Sequence, residues 1–139
     1  MPMTPLLLLT HGEFGPVLLQ AAEGMYGPQA SAAALGLGAQ ETREDFGARV
    51  KAAVDKLGGQ PLVLVDLACG TPWNVALLQG LAIGGEVMAG LSLPLLLETL
   101  GLREGLEAKA IAAELEQRVP QTFCRASEML RQGRNGACE

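Results

Sequence analysis

The chain of 139 residues has few aromatic side chains, which make up only 4% of it. Since 49% of the residues are hydrophobic, leucine, alanine and valine must build its core. Basic residues are also few, with 10 Lys and Arg against 15 Asp and Glu, and they form no run. Nucleic-acid-binding proteins need clustered cations to neutralise phosphates, so the composition argues against that class. A net charge of −5 suits solubility and a partner with a basic face.

The sequence also lacks a long hydrophobic run. The apolar segment near its start, Leu6 to Leu9, has no cationic stretch before it and is far shorter than the ~18 residues of a membrane span. We therefore expect a cytoplasmic protein with no targeting segment and no direct membrane insertion. The three cysteines, Cys69, Cys124 and Cys138, are odd in number and form no CxxC pair, which indicates neither a disulfide framework nor a zinc site.

Short apolar segments alternate with amphipathic ones along the chain. This alternation predicts a single α/β domain over residues 1–139, with a doubly wound, mostly parallel four-stranded sheet flanked by helices. The segment 120–139 has no clear pattern, and residues 131–139 are expected to form a loose tail. The predicted strands are residues 6–10, 32–38, 62–65 and 86–91, and the predicted helices begin near Pro16, Thr42, Thr71, Pro94 and Glu104.

The first predicted helix carries apolar residues at helical spacing. Val17, Ala21 and Met25 recur every four residues, with Leu18 and Ala22 beside them. Such a stripe is typical of a helix face that packs on a core. We therefore expect this face to be buried.

Polar side chains follow three of the predicted strands, each shortly before a proline that opens a helix. In open parallel sheets, ligands bind beyond the carboxyl ends of the strands, where the strand order switches. His11, Asp66, Thr71 and Ser92 should therefore face one crevice.

His11 is the only histidine and follows the first strand directly. A histidine there can be a nucleophile, a general base or a metal ligand, or an incidental loop residue. Asp66 follows four apolar residues, so its carboxylate needs a partner or water. It is either a turn or capping residue, or the partner that fixes the tautomer of the His11 ring.

The segment Gly70-Thr71-Pro72 predicts a helix entrance, with Thr71 as N-cap and Pro72 as first helical residue. Free N–H groups and the helix dipole at such an entrance favour an anion, although an ordinary N-cap explains the residues equally well. Cys69 lies just before it. With His11 as its base, Cys69 could serve a cysteine hydrolase, but a small buried cysteine explains the residue better and no flanking motif supports the hydrolase.

Two phosphate-binding motifs are absent. No Gly-Lys-Ser/Thr follows a glycine-rich turn, which excludes a Walker A loop. The glycine pair Gly36-Leu37-Gly38 supplies half of a dinucleotide-binding fingerprint without its third glycine or its helix.

Three blocks of sequence occur together, in order. The blocks are Thr10-His11-Gly12; Asp66 with Gly70-Thr71-Pro72 and Asn74; and Gly90-Leu91-Ser92-Leu93-Pro94 with Glu98-Thr99-Leu100. This set resembles the enzyme IIA domain of the mannose-type (mannose, fructose, sorbose) sugar phosphotransferase system, over about residues 4–118.

The resemblance implies a phosphoryl carrier. His11 would accept the group from the histidine-containing phosphocarrier protein and pass it to a IIB component, with Asp66 orienting the ring. Thr71, Gly70, Gly12 and Ser92 would hold the phosphoryl oxygens, without a cofactor or a metal. The family's doubly wound sheet is usually found in a homodimer, sometimes with an additional antiparallel edge strand exchanged between subunits.

The chain departs from the family pattern at Cys69, where glycine is typical, at Thr71, where serine is usual, and at Trp73, where phenylalanine is frequent. Threonine keeps the hydroxyl, whereas Cys69 and Trp73 add bulk that affects partner fit or rate. Two other functions stay open at this point. One is a regulatory paralogue that binds a regulator according to its phosphorylation state, and the other is the cysteine hydrolase.

Overall fold

The computed structural model describes residues 3–133, in which four strands form one sheet with all strands parallel. The strand order β2-β1-β3-β4 confirms the predicted doubly wound α/β fold. No fifth, antiparallel strand is present between residues 3 and 133. The strands are β1 (Leu6–His11), β2 (Ala32–Leu37), β3 (Leu62–Val65) and β4 (Glu86–Ala89).

Helices cover both faces of the sheet. Helices α1, α4 and α5 pack on the face that contains Leu6 and Leu8, and α2 and α3 pack on the face that contains Leu7 and Leu9. Because both faces are covered, β1 and β3 have no solvent-facing side, and their buried residues are apolar except for Thr10. The helices are α1 (Phe14–Tyr26), α2 (Arg43–Leu57), α3 (Thr71–Gln79), α4 (Leu93–Leu102), α5 (Ala108–Arg118) and α6 (Ala126–Arg131), with 3₁₀ turns at Leu81–Ile83 and Val119–Thr122.

The strand order reverses between β1 and β3. The chain leaves β1 to form β2 on one side, then returns to place β3 on the other. Leu9 pairs with Val65, so the two strands end side by side. The carboxyl ends of β1 and β3 therefore form the switch point at which a parallel sheet places its ligand site.

The predicted buried face of α1 is wrong in part. Val17 and Met25 are 59% and 66% exposed, whereas Ala22 is buried and Leu18 packs against the core. The helix is apolar on both rows of side chains, so periodicity alone could not select the inner row. Gly15 lies on the inner row and allows that row to approach β1 closely, because a Cβ there would lie 2.9 Å from the Thr10 hydroxyl.

Several element boundaries also differ from prediction. Helix α1 begins at Phe14, before Pro16. Strand β4 ends at Ala89 because Gly90, with φ of 90°, turns the chain. The last long helix begins at Ala108, after a turn that follows Arg103. Of the predicted loose tail, residues 134–139, with Cys138, lie outside the described residues.

Candidate active site

His11 is the last residue of β1 and the first on that strand to leave the core. Residues Leu6 to Thr10 are fully buried, whereas the His11 side chain is 47% exposed. The strand ladder pairs His11 with Leu37 of β2, which fixes its main chain. A rigid, central strand thus holds a half-exposed imidazole at the switch point.

Asp66, the residue after β3, binds His11 twice through one oxygen. Its Oδ2 accepts the main-chain N–H of His11 and lies 3.0 Å from the His11 Nδ1. Because a carboxylate can only accept, we assign the ring proton to Nδ1. The lone pair of the ring is then on Nε2. The second oxygen, Oδ1, is buried and makes no hydrogen bond within the part of the chain that the structure describes.

The free ring nitrogen faces the start of α3. A Cβ built on Gly70 would lie 3.5 Å from the His11 Nε2, so the backbone of Gly70 passes directly beside that atom. Gly70 has φ of 86°, a conformation that side chains rarely allow. Its carbonyl accepts the first helical hydrogen bond, from Asn74 N–H at 3.1 Å. Gly70 is therefore the N-cap, and the prediction of Thr71 as N-cap is wrong by one residue.

The N-terminus of α3 has hydrogen-bond donors without a partner in the described part of the chain. The N–H groups of Thr71 and Trp73 precede the first intrahelical bond, and no side chain caps the helix. Within residues 3–133, the Thr71 hydroxyl has no hydrogen-bond partner. These donors and the helix dipole favour an anion beside the His11 Nε2.

Two of the residues predicted to bind phosphoryl oxygens are engaged elsewhere. The Gly12 N–H donates to the Leu37 carbonyl at 2.9 Å, which leaves no free donor there. The Ser92 Oγ accepts the Leu95 N–H at 3.2 Å and caps α4. The described chain contains no hydrogen bond from Ser92 to His11, Asp66 or Thr71. The structure thus brings His11, Asp66 and Gly70 together, whereas the Gly12 N–H is already used and Ser92 keeps its O–H while it caps α4.

The other candidate chemistry has less support. Cys69 is exposed, so the prediction of a small buried cysteine is wrong. It lies directly before the N-cap of α3. No hydrogen bond joins it to His11 in the described region, so the thiol has no base there. Among residues 3–133, no group of three or more His, Cys, Asp and Glu could hold a metal ion. In the same range, no helix combines the length and apolar composition that crossing a membrane requires.

Sequence reasoning missed the part played by Thr10. Its buried Oγ1 accepts the Gly15 N–H at 2.7 Å and donates to the Gly12 carbonyl at 3.2 Å. The hydroxyl thereby joins the loop after His11 to the start of α1. The signal was a threonine that closes a buried run of leucines, since a buried hydroxyl needs partners.

Comparison with known proteins identifies the family of the chain. The family model of the PTS system fructose IIA component matches residues 5–116. The chain is 32% identical over 136 residues to the fructose-specific EIIA component of Bacillus subtilis (strain 168), covering 92% of this chain and 90% of that protein. It is 30% identical over 118 residues to the sorbose-specific EIIA component of Klebsiella pneumoniae, covering 82% and 85%.

A solved structure shows the same fold. The phosphotransferase system component EIIA from Streptococcus agalactiae superposes with a TM-score of 0.82 at 23% identity, covering 91% of this chain and 99% of that one. The resemblance inferred from the three sequence blocks is thus confirmed. The chain belongs to the EIIA-man family of PTS fructose IIA components and is a IIA component of a mannose-type sugar phosphotransferase system.

Proposed function

We propose that His11 accepts a phosphoryl group on Nε2 from the histidine-containing phosphocarrier protein and passes it to a IIB component. One observation carries this proposal. The 3.0 Å contact between Nδ1 and the Asp66 carboxylate places the lone pair of the neutral ring on Nε2, and that atom lies beside the N-terminus of α3, which no side chain caps. A nucleophile and an anion site therefore lie side by side.

The first transfer forms a bond between the Nε2 lone pair and phosphorus as the N–P bond of the donor phosphohistidine breaks. The electron pair of the broken bond returns to the donor ring. His11 keeps its Nδ1 proton, and the positive charge that develops on its ring is offset by Asp66. In the second transfer, the N–P bond of His11 breaks toward the IIB acceptor and its electron pair returns to Nε2. Neither step needs an oxidant, a reductant or a net proton.

Phosphoryl transfer depends mainly on positioning and on stabilisation of charge on the equatorial oxygens. The Thr71 hydroxyl and the N–H groups of Thr71 and Trp73 are the donors closest in sequence to Gly70, and we assign them to those oxygens. Gly12 is left out, since its N–H already donates to the Leu37 carbonyl. Ser92 uses its Oγ only as an acceptor of the Leu95 N–H, so its O–H can still donate to a phosphoryl oxygen.

The exposure of His11 favours a protein as the donor. Two histidine rings must approach a single phosphorus atom from opposite sides, which a closed pocket would prevent. The His11 side chain is 47% exposed at the edge of the sheet, so a second protein can present its ring there. We propose a cytoplasmic carrier in sugar uptake. Homodimer formation, with or without an exchanged strand, stays a prediction.

The proposal predicts a relay between proteins. On mixing with ³²P-labelled phosphocarrier protein, the chain should take up one phosphoryl group per molecule, labile in acid and stable in base. Adding a cognate IIB component should move the label onto IIB. Gel autoradiography and intact mass follow both steps.

The control omits this chain and should leave IIB unlabelled. A wild-type protein that takes up no label, or label that base removes and acid does not, would show that the carrier function is wrong.

A further inference from the structure

The peptide after His11 is held from three directions. The Gly12 N–H donates to the Leu37 carbonyl at 2.9 Å, and the Gly12 carbonyl accepts the Thr10 hydroxyl at 3.2 Å. Gly12 itself has φ of 57°, in the left-handed region. Hydrogen bonds from β1 and β2 therefore fix the position of the loop that directly follows His11.

The third constraint is steric and comes from Gly36 of β2, which pairs with Thr10 in the ladder. A Cβ at Gly36 would lie 1.8 Å from the Gly12 oxygen and 2.6 Å from its carbonyl carbon. Both atoms belong to the backbone, so no side chain could rotate away to make room. The loop thus rests directly on the Cα of Gly36. The backbone of Gly36 is outside the left-handed region, so only the contact demands glycine.

Strand β2, on which the Gly12 loop rests, is held in place by Arg49 of α2. The Arg49 guanidinium donates to the Gly36 carbonyl at 2.8 Å and holds Glu41 with two further hydrogen bonds of 2.8 Å each. The Arg49 hydrogen bond and that of the Gly38 N–H lower the pKa of Glu41 to about 2, which keeps this carboxylate charged. If a side chain is placed at position 36, we therefore expect the exposed loop at Gly12 to move more readily than strand β2.

We infer that Gly36 and Thr10 are positioning residues for phosphoryl transfer. Together they fix the position of the Gly12 peptide above β2, and through it the orientation of the adjacent His11 ring toward Asp66. The inference rests on the proposed function. A side chain at position 36 must displace the Gly12 carbonyl by about 1 Å or more, since contacts under 3.0 Å to backbone are not tolerated. His11 would then lose the 3.0 Å alignment of Nδ1 with Asp66.

Gly36→Ala should lower the rate of phosphoryl uptake by about 100-fold, the loss typical of a 1 Å misplacement of a reacting group. The position of the ring proton should change as well. His11 is the only histidine, so an ¹⁵N-labelled protein gives one set of imidazole signals. In the wild type these signals should show the proton on Nδ1, and in Gly36→Ala a mixture of the two tautomers.

Gly38→Ala is the matched control, two residues further along the same segment. A Cβ there would lie 3.5 Å from the Glu41 Cβ, an ordinary van der Waals contact. This variant should match the wild type in rate and in imidazole signals. Circular dichroism establishes that each variant is folded.

A second pair of variants keeps the inference testable if Gly36→Ala does not fold. Thr10→Val removes the hydroxyl at nearly constant volume and should lower the rate about tenfold and shift the tautomer. Thr10→Ser restores the hydroxyl and should recover both.

The tautomer measurement separates the two proposals, because it needs no phosphoryl donor. Altered imidazole signals in Gly36→Ala beside a wild type that takes up no label would support the positioning role and contradict the carrier function. Wild-type signals and rate in folded Gly36→Ala, or in Thr10→Val, would overturn the positioning role.

Discussion

The variant His11→Gln takes up no phosphoryl group from the phosphocarrier protein. An amide nitrogen has no lone pair available for attack on phosphorus, whereas its N–H can still donate to the Asp66 carboxylate and keep the loop in place. His11 is the only histidine in the chain, so no second imidazole can replace it. Intact mass after incubation with the labelled donor measures the loss directly.

Cys69→Ser is the control for this experiment. Cys69 is the exposed nucleophile in the loop between Asp66 and Gly70, and its substitution should leave uptake unchanged. Label on His11→Gln would contradict the assignment of His11. Loss of label in Cys69→Ser together with its retention in His11→Gln would assign the chemistry to the thiol.

The second large effect is expected at the opposite end of the sheet, where Arg103 is 1% exposed. Its guanidinium donates to the Thr4 carbonyl at 3.0 Å, the Gln29 side-chain oxygen at 3.1 Å and the Ser31 carbonyl at 2.6 Å. Burial lowers the pKa of Arg103 from its usual value. Arg103 thus joins the starts of β1 and β2, and it holds Ser31 at a φ of 52° that few side chains adopt.

Arg103→Met should lower the free energy of unfolding by about 3 kcal/mol, because the buried Thr4 carbonyl and the part-buried oxygens of Gln29 and Ser31 lose a charged donor. The melting temperature should fall by roughly 10 °C. Phosphoryl uptake by the folded fraction should stay unchanged, since Arg103 lies far along the sheet from His11. Thermal and urea unfolding measure the change.

Arg118→Met is the matched control. Arg118 is exposed and pairs with Glu98 and Glu114 on the helix surface. Exposed pairs contribute under about 1 kcal/mol, so this variant should be close to the wild type. Equal stability of the two variants would show that Arg103 does not join the strands as described.

Local patterns were enough to predict the strands, the strand–helix order as far as α5, and the edge of the sheet that His11 and Asp66 share, while the pairing of these two residues followed from the family resemblance. A buried parallel strand is an apolar run, and the carboxyl ends of such strands meet at one edge. The same patterns failed for α1, where Val17 and Leu18 lie on equally apolar rows. The inner row is the one that carries Gly15, which lies against Thr10 of β1. The spacing of apolar residues along α1 gives no sign of this contact with another element.

Long-range contacts account for what sequence reasoning missed. Gly36 was considered only for a dinucleotide motif, because its contact with the Gly12 carbonyl depends on the register between β1 and β2. Arg103 has no charged partner in the acceptors it binds, so no acidic residue in the sequence pointed to it. Gly70 replaced Thr71 as N-cap because its positive φ closes the loop against His11.

The most direct test of the account is the identity of the phosphorylated atom. Heteronuclear NMR of the ¹⁵N-labelled protein, after phosphorylation by the phosphocarrier protein, distinguishes the two nitrogens of the single imidazole. The account predicts a phosphorus coupling at the His11 Nε2 and a proton retained on Nδ1, opposite Asp66. Phosphate on Nδ1, or on any residue other than His11, would contradict it.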